Sequence, residues 1–454
     1  MSFSPIVPGL DLKIDSSQMG AASGVATLDA SGTVPLSQLS ASVAGTSIDV
    51  HDYGAVGDGV ANDTAAIQAA ITAANGKMQV HFSAGTYMVN AGVGILLNIP
   101  KSWLSLDPAA VIKAIPNALG GYSIVKVTAA DCLITGGTVM GDVQTHSGST
   151  GEWGHCVVVD VGGDRCLLDH VAAKYAWGDG FYITGNVYDV TVNNCIADGN
   201  RRNGLTVAGA TRCNVNGGSY INTGTVAFTG PGAGIDFEPN AGGYNVIECV
   251  VSGAICNNNV GSGISIVRAT GQATRVRVVG CTCAGNQASG IITAGAAGGI
   301  AADLDGNSCS NNATHGLYLA AAPVSVTGGR YSANSGNGIF AVANPAITGI
   351  VVDYNLQSGI RLASGSNNAI ISGSIIRYNC LGAASTYYEV DIASTGLFMT
   401  GSVMRPSTGG NRAVYAVIVR STATGAIFAG CRATAGSSGA ISARSGTIQA
   451  PAVS

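Results

Sequence analysis

A short motif, Asn-x-x-x-Gly followed by an apolar residue, limits the fold of this chain more than any other feature of its sequence. It occurs six times, beginning at Asn200, Asn259, Asn286, Asn312, Asn334 and Asn355. From the second copy onward the motif returns after 27, 26, 22 and 21 residues. Such periods are typical of solenoids, in which each turn buries its apolar face only against neighbouring turns. The repeat therefore predicts the stacked turns of a right-handed parallel β-helix.

The composition agrees with many short strands joined by tight turns. Gly accounts for 66 of the 454 residues and charged residues for 10%, against about 25% in a typical globular domain. We expect the repeated Asn to hydrogen-bond its copies in the turns above and below, and the Gly to relax the turn before the next strand. The predicted fold class is therefore all-β, a single-stranded parallel β-helix.

Three regions are expected along the chain. Residues 1–46 are small, polar and turn-rich, which indicates a linker or attachment arm. Residues 47–379 form the predicted β-helix and contain one predicted helix, capped by Asp63 or Thr64. From residue 380 to residue 454 the repeat is lost, and alternating apolar residues predict antiparallel strands of a separate β-rich cap or trimerisation region.

Charge, hydropathy and cysteine usage exclude several classes of protein. The net charge of −4 argues against a nucleic-acid partner, which needs a clustered basic face. No apolar run approaches the roughly 20 residues of a membrane span, and the N-terminus lacks the pattern of a secretory signal. The 12 Cys form no CxxC pair, which predicts buried free thiols. We expect no metal and no cofactor.

Aligning the turns on the repeated Gly assigns each strand residue to a face. Side chains alternate along a strand, so Ile235 and Phe237 are expected to point inward, whereas Asp236 and Glu238 point outward. Between residues 199 and 302 the only other acid is Glu248. The outward pair therefore stands apart from an ordinary charged surface.

The turn that carries this pair is irregular. Its Gly follows Asn222 by twelve positions instead of four, so eight extra residues are expected to form a loop beside the acids. Loops raised above a flat sheet form the walls of a groove. The candidate substrate-binding residues are Arg201, Arg202, Asn203, Thr206, Trp177 and Tyr182 from the two preceding turns, together with His155, and Asp179 is a further candidate acid.

Paired carboxylates beside a groove are what glycoside hydrolysis requires, because one must be protonated and the other ionised. Like-charge repulsion moves the two pKa values apart. We assign Glu238 as the general acid and Asp236 as the base or nucleophile, with Asp179 as the substitute for either. Two further groups are expected to bind saccharide: Arg201 and Arg202 through a sugar carboxylate, and Trp177 and Tyr182 by stacking.

Other interpretations of the same residues remain open. The acids can form a solvated face, bind an Arg of a neighbouring subunit, or bind saccharide without chemistry. His155, beside Trp153, is either an acid or base or an ordinary hydrogen-bonded histidine. A polysaccharide lyase would instead use Tyr182, His155 or an Arg as the base.

Residues 49–89, with their strand, "GDG" turn, Asp-Thr helix start and "AGTY" strand, resemble the pectate-lyase-like superfamily of right-handed β-helix proteins. In that superfamily the helix caps the open N-terminal end of the solenoid. Residues 24–40 look like segments of phage tail fibres and tailspikes, and "GDGFYI", "RRNGLTV" and "GAGIDFEPN" are similar to tailspike depolymerases. Together these stretches cover about three quarters of the chain.

The resemblance implies a homotrimeric phage tailspike that binds and usually cuts a bacterial surface polysaccharide. Residues 1–46 would attach it to a tail or baseplate protein of the virion, after assembly in the host cytoplasm. Two departures limit what carries over. The paired-Asp signature of polygalacturonases is incomplete, and the Lys/Arg and calcium-binding acid cluster of pectate lyases is missing. The substrate and the reaction type therefore do not carry over from the resemblance, and pectin is not the expected target.

Overall fold

The computed structural model describes residues 47–239, 243–268, 272–295, 299–382, 386–406, 413, 415–435 and 439–443. Over these residues the chain winds into a parallel β-solenoid with three sheet faces, named here sheets A, B and C. The predicted all-β parallel β-helix is confirmed. The predicted arm, residues 1–46, lies outside the described residues.

Sheet A carries the candidate site and contains 14 strands, one from each successive turn. Its strands are Ile95–Leu97, Gly121–Val127, Trp153–Val159, Phe181–Ile183, Leu205–Val207, Ile235–Phe237, Ile264–Arg268, Ile291–Gly295, Leu317–Leu319, Ile339–Ala341, Ile360–Leu362, Val390–Ile392, Tyr415–Val419 and Gly439–Ala443. All neighbouring strands in it run parallel.

Sheet B contains 18 strands, because several turns contribute two short strands to it. They are Ser47–Asp49, Gln79–Phe82, Trp103–Leu106, Leu133–Thr135, Leu167–Asp169, Val187–Tyr188, Thr191–Asn193, Ala210–Thr211, Asn214–Asn216, Asn245–Ile247, Val250–Ser252, Gln272–Val279, Ile300–Asp305, Val324–Thr327, Pro345–Thr348, Ile370–Ser372, Phe398–Thr400 and Ile427–Ala429.

Sheet C is divided into two runs of seven strands. The first run is Asp58–Asn62, Gly85–Val89, Ala110–Ala114, Thr138–Met140, Ala172–Lys174, Ile196–Asp198 and Ser219–Ile221. The second run is Thr282–Ala284, Ser308–Ser310, Arg330–Ser332, Val351–Asp353, Ile375–Arg377, Val403–Arg405 and Arg432–Ala433. Between the runs, Ile255 alone bridges Ser219 to Thr282.

An asparagine ladder runs through the interior, as the repeat predicted. In each step the backbone N–H and the side-chain amide of one Asn both donate to Oδ1 of the Asn in the next turn. Asn312, for example, donates to Asn334 Oδ1 at 3.1 and 2.9 Å. The fully paired run extends from Asn259 to Asn379, where it ends on the buried carboxyl of Glu389.

One α-helix, Thr64–Ala74, follows the first strands, and a short 3-10 helix covers Val50–Tyr53. The α-helix buries the predicted apolar stripe of Ile67, Ala70, Ile71 and Ala74. Asp63 precedes it but makes no capping bond. Its carboxylate instead accepts the N–H groups of Val56 and Gly57, at 2.7 and 3.2 Å, and so fixes the glycine-rich turn. The role of this helix as a cap of the solenoid stays a prediction.

The strands beyond residue 380 differ from the expectation. They were expected to be antiparallel, yet Val390–Ile392 and Tyr415–Val419 pair in parallel and continue sheet A. Sheets B and C also continue there. Alternating apolar residues are compatible with both strand directions, which is why the pattern did not distinguish them. A trimerisation role of residues 380–454 stays a prediction.

The cysteines behave as small apolar residues. All 12 are buried and free, which agrees with the expectation from their spacing. In the described part of the chain, no three His, Cys, Asp or Glu side chains come together as metal ligands. None of the described helices has the length and apolar character to cross a lipid bilayer.

Candidate functional site

The register predicted from the repeat is the register of sheet A. Tyr182 pairs with Thr206, and Thr206 pairs with Asp236. Ile235 and Phe237, on either side of Asp236, are fully buried in the core. Because side chains alternate along a strand, Asp236 leaves the sheet on its outer side.

Asp236 is nevertheless covered, although both acids were expected to face solvent. Its relative exposure is 0%, whereas 27% of the Glu238 side chain is exposed. Asn203 Nδ2 donates to Asp236 Oδ2 at 3.2 Å and to Thr206 Oγ1 at 2.9 Å, and Asp236 Oδ1 is buried without a hydrogen-bond partner. Burial, together with the negative charge of Glu238, raises the pKa of Asp236 well above its ordinary value. The site therefore favours a protonated Asp236.

Arg202 connects three acids. Its Nη1 donates to Asp179 Oδ2 at 3.0 Å, its Nη2 donates to Glu238 Oε2 at 2.8 Å, and its Nε lies 3.8 Å from Glu152 Oε1. Burial lowers the pKa of Arg202, but the facing carboxylates of Asp179 and Glu238 outweigh this effect and raise it overall. The guanidinium is occupied by carboxylates of its own chain, so the expectation that Arg202 binds an acidic sugar disagrees with the structure.

Asp179 is fully buried and is hydrogen-bonded to the backbone and side chains that surround the acids. Its Oδ1 accepts the backbone N–H of Asn203 at 3.0 Å, and its own N–H donates to His155 Nδ1 at 3.0 Å. Burial raises the pKa of Asp179 despite the adjacent Arg202. Because Asp179 is enclosed and hydrogen-bonded, the geometry favours a positioning role over its expected role as a substitute catalytic acid.

His155 is a neutral, hydrogen-bonded histidine. Burial and the nearby Arg202 lower the pKa of His155 to about 3. Since Nδ1 accepts a backbone N–H, the ring proton resides on Nε2. The His155 ring stacks on Tyr182, with ring centroids 4.5 Å apart and planes within 2°. Of the two readings open for His155, this environment fits the hydrogen-bonded one.

Trp177 is not free to stack on a sugar. It is 7% exposed, and its ring is stacked by His146, with centroids 3.8 Å apart, and covered by Arg201, whose Cζ lies 3.7 Å from the ring centroid. Arg201 Nη1 also donates to the carbonyl oxygens of Gly151 and Trp177, at 2.9 and 3.3 Å. Trp177 and Arg201 therefore brace the wall of the site, contrary to the expectation that they bind saccharide.

A groove of about 410 Å³ runs along the outer side of sheet A over the turns before Asp236. It is lined by Gly121, Tyr122, Ser123, Lys126, Trp153, His155, Val158, Asp160, Tyr182 and Thr184. Tyr182 lies two strands, or about 10 Å, from Asp236. Trp153 is 57% exposed at the rim. Of the expected aromatic pair, only Tyr182 reaches a saccharide-sized furrow.

A larger cavity, of about 790 Å³, lies against the exposed face of the helix Thr64–Ala74. Its lining contains Asn62, Gln68, Thr72 and Asn90 but no titratable side chain. It therefore offers no acid or base, and the groove on sheet A is the better candidate.

The predicted insertion is present, although its ladder residue is different. Thr223, rather than Asn222, occupies the ladder position and donates its N–H to Asn259 Oδ1 at 3.0 Å. Its hydroxyl is buried without a hydrogen-bond partner. The inserted loop reaches back to the preceding turns, where the Thr229 hydroxyl donates to Glu152 Oε2 at 3.3 Å.

Several residues of the site were not found from the sequence. Glu152, with 34% of its side chain exposed, faces Arg202, and Tyr122, Lys126 and Asp160 line the groove. They belong to turns before the first Asn-x-x-x-Gly copy at Asn200, which the repeat does not align. The alternating pattern of "GYSIVKV" is the one signal that could have extended the alignment to Tyr122 and Lys126.

Comparison with known proteins agrees with the fold. Residues 47–124 match a family model described as rhamnogalacturonase A/epimerase, pectate lyase-like. An uncharacterised protein of Bacillus subtilis (strain 168), YclG, is 27% identical over 247 residues. That match spans 48% of this chain and 42% of YclG, so this chain covers less than half of its relative.

Solved structures with the same architecture include two phage proteins. The pre-mature gene product 12 of bacteriophage phi29 matches with a TM-score of 0.58 and 16% identity, over 86% of this chain and 56% of that chain. The Dettilon tailspike protein gp208 matches with a TM-score of 0.54 and 17% identity, over 91% of this chain and 71% of that chain. These values show similarity of fold.

The fold and the family match together define the class of protein. Over the described residues the chain is a parallel β-solenoid, residues 47–124 are similar to the rhamnogalacturonase A/epimerase, pectate lyase-like family, and the architecture is similar to that of phage tailspikes. The resemblance predicted from residues 49–89 is therefore confirmed.

Proposed function

We propose that this protein binds a bacterial surface polysaccharide and cleaves it by acid/base glycoside hydrolysis, in the manner of a phage tailspike depolymerase. One observation carries the proposal. A buried carboxyl with a raised pKa, Asp236, lies two residues from a partly exposed carboxylate, Glu238. Neither acid lines the groove, whose Tyr182 is about 10 Å from Asp236 along sheet A. Pairs of acids in unlike environments are what glycoside hydrolysis uses.

The different environments of Asp236 and Glu238 reverse the catalytic roles that we expected for these two acids from the sequence. Asp236, whose protonated form is favoured, is the proposed donor of a proton to the leaving glycosidic oxygen. Glu238, ion-paired with Arg202, is the proposed base that accepts a proton from water or the nucleophile that attacks the sugar carbon. Because Asp236 is fully buried, the side chains that cover its carboxyl group must move when a saccharide binds.

The test compares two variants with one control on the same polymer. Asp236→Asn and Glu238→Gln are expected to lower the rate of depolymerisation by about 100-fold or more, since each removes one partner of the proton transfer. Gel filtration of capsular polysaccharide or O-antigen after incubation measures the rate. Glu248→Gln, which alters a carboxylate paired with Arg275 on sheet B, should leave the rate unchanged. Cleavage at the wild-type rate by both site variants would refute the proposal.

A lyase reaction is the second candidate, and the His155–Tyr182 pair favours it. The two rings stack at the edge of the groove, and Lys126 and Asp160, paired at 2.8 Å, lie along the same groove. Tyr182, as the base, would then take the proton next to a sugar carboxylate while the bond to the leaving glycosidic oxygen breaks, which forms a carbon–carbon double bond in the sugar ring. An unsaturated product, detected by ultraviolet absorbance and abolished in Tyr182→Phe, would select this reaction over hydrolysis.

The partners proposed for the whole protein follow from the similarity of its fold to that of phage tailspikes. We infer a homotrimer mounted on the virion through residues 1–46, bound to a tail or baseplate protein. The likeness of this fold to the Dettilon tailspike supports that inference. Sedimentation analysis of the full chain tests it, and a monomer at micromolar concentration would contradict it.

A further inference from the structure

A second group of aromatic side chains lies on the outer side of sheet A, on the opposite flank of the acids from Tyr182. The outward positions follow one line: Asp236 pairs with Ser265, Ser265 with Ile292, and Ile292 with Tyr318. The line continues through Phe340 to Arg361. At about 4.8 Å for each strand, Tyr318 lies about 14 Å and Arg361 about 24 Å from Asp236.

The rings in this group are stacked and half-buried. Tyr318 and Phe340 have centroids 5.6 Å apart and planes within 15° of each other. Arg361 Cζ lies 5.5 Å from the Phe340 centroid. The inward neighbours Leu317 and Ile339 are fully buried, so the rings belong to the outer surface and not to the core. Because the two rings stack on each other, they offer a sugar chain a partly exposed apolar contact surface and not a bare ring face.

His315 repeats the arrangement of His155. Each histidine lies two residues before an inward residue of sheet A, and each accepts a backbone N–H on Nδ1 from the next turn, at 3.0 Å. Each ring contacts an aromatic side chain of the outer face, Tyr182 for His155 and Phe340 for His315. Burial and Arg361 lower the pKa of His315 to about 4, so its Nε2 also carries the ring proton. A related histidine–aromatic pair therefore occurs on both flanks of the acids, with the ring planes within 2° for His155 and Tyr182 and at 56° for His315 and Phe340.

Arg361 gives the second unit a positive charge. Asp391 is engaged by Arg420 through two bonds of 2.6 and 2.7 Å, whereas Arg361 Nε lies 3.9 Å from Asp391 and has no hydrogen-bond partner. Two guanidinium groups thus face one carboxylate. The Arg361 side chain is 43% exposed, which leaves it able to meet an anionic group of a ligand.

We propose that His315, Tyr318, Phe340 and Arg361 form a distal saccharide-binding platform, and that the ligand is one extended, anionic polysaccharide chain lying along sheet A across the acids. This inference rests on the proposed function and adds the length and the charge of the substrate. One continuous chain would contact both flanks, because the outward positions of sheet A follow one straight line and a histidine–aromatic pair lies on each side of the acids. The distance of about 24 Å from Asp236 to Arg361 exceeds the reach of a disaccharide.

The test uses the kinetics of the full-length protein on purified capsular polysaccharide or O-antigen, both intact and reduced to short fragments by partial acid hydrolysis. Phe340→Ala and Arg361→Ala are expected to raise KM for the intact polymer about ten-fold, with kcat unchanged, because binding remote from the reaction is lost uniformly. The KM of short fragments should not change. The Arg361→Ala effect should shrink at high salt, whereas the Phe340→Ala effect should persist.

A matched control removes an aromatic pair on another face. Tyr354, 44% exposed, lies 5.6 Å from Tyr378 by ring centroids, and both follow strands of sheet C. Tyr354→Ala should leave the KM of both substrates unchanged. Arg361→Ala removes a partly exposed side chain and leaves Asp391 its two bonds to Arg420, so it tests the platform even if Phe340→Ala folds poorly.

Three outcomes would overturn the inference. Equal KM values for wild type and platform variants on intact polymer would remove the platform and leave the proposed function standing. A change in sedimentation coefficient of Phe340→Ala, with KM unchanged, would assign the surface to contacts between subunits. If the wild type neither binds nor cleaves any polysaccharide offered, the proposed function fails and the platform fails with it.

Discussion

Removing one member of the asparagine ladder should weaken the solenoid by several kcal/mol. The Asn312 side chain makes four hydrogen bonds in the interior. Its Nδ2 donates to the carbonyl of Cys283 at 3.0 Å and to Asn334 Oδ1 at 2.9 Å. Its Oδ1 accepts from the backbone and side-chain amides of Asn286, at 3.1 and 2.9 Å. At about 1 kcal/mol for each net bond, Asn312→Ala is expected to cost about 4 kcal/mol.

Unsatisfied groups left behind should add to that cost. The backbone N–H of Asn286 and the carbonyl of Cys283 would lose their partners from Asn312 in an interior that excludes water. Because a solenoid is stabilised turn by turn, the loss should appear first as local opening around residues 286–334.

Guanidinium unfolding followed by far-ultraviolet circular dichroism measures the global effect, and amide hydrogen exchange locates it. Asn344→Ala, which truncates an exposed asparagine, is the control and should change stability by less than about 0.5 kcal/mol. A loss below about 1 kcal/mol in Asn312→Ala, with unchanged exchange in the neighbouring turns, would refute the view that the ladder holds the turns together.

Three further predictions concern charge, pH and redox state. Burial raises the pKa of Glu389 from an ordinary value near 4.5 to about 8, so the folded protein retains a proton that the unfolded chain releases. The contribution of Glu389 to the free energy of unfolding should therefore be fully present below about pH 4.5 and fall as the pH rises toward 8, by up to about 1.4 kcal/mol per pH unit. Thermal melts of Glu389→Gln should lack this dependence of stability on pH. Arg202→Met leaves buried carboxylates without their counter-charge and should cost about 3 to 5 kcal/mol in chemical denaturation, whereas Arg165→Ala, which breaks an exposed pair with Asp131, should cost less than about 1 kcal/mol. Because the 12 thiols are free, dithiothreitol should leave the melting temperature unchanged, and a fall of several degrees would indicate a disulfide.

The sequence predicted the parts of the fold that depend on local pattern. The repeat identified the ladder from Asn259 to Asn355 and the register that pairs Thr206 with Asp236. Both follow from the same cause, since each turn repeats one arrangement of inward apolar residues, an Asn and a Gly. The apolar stripe of the helix Thr64–Ala74 could also be predicted, because it depends on spacing within eleven residues.

The candidate site depended on contacts that spacing does not encode. Alternation placed Asp236 on the outer face, but its burial arises from side chains of other turns, such as Asn203. Trp177 was expected to stack on a sugar, yet its ring is covered by His146 and Arg201, and neither contact can be predicted from the repeat. Glu152 was missed because its turn carries no motif.

The turn that carries Asp236 and Glu238 is also a place where the solenoid has fewer bonds between neighbouring turns. There the amide ladder is interrupted at Thr223, and sheet C narrows to the single bridging residue Ile255. Under a pulling force along the solenoid axis, unfolding should begin at this turn. The turns from Asn259 to Asn379, which the asparagine ladder connects, should then unfold together as one unit.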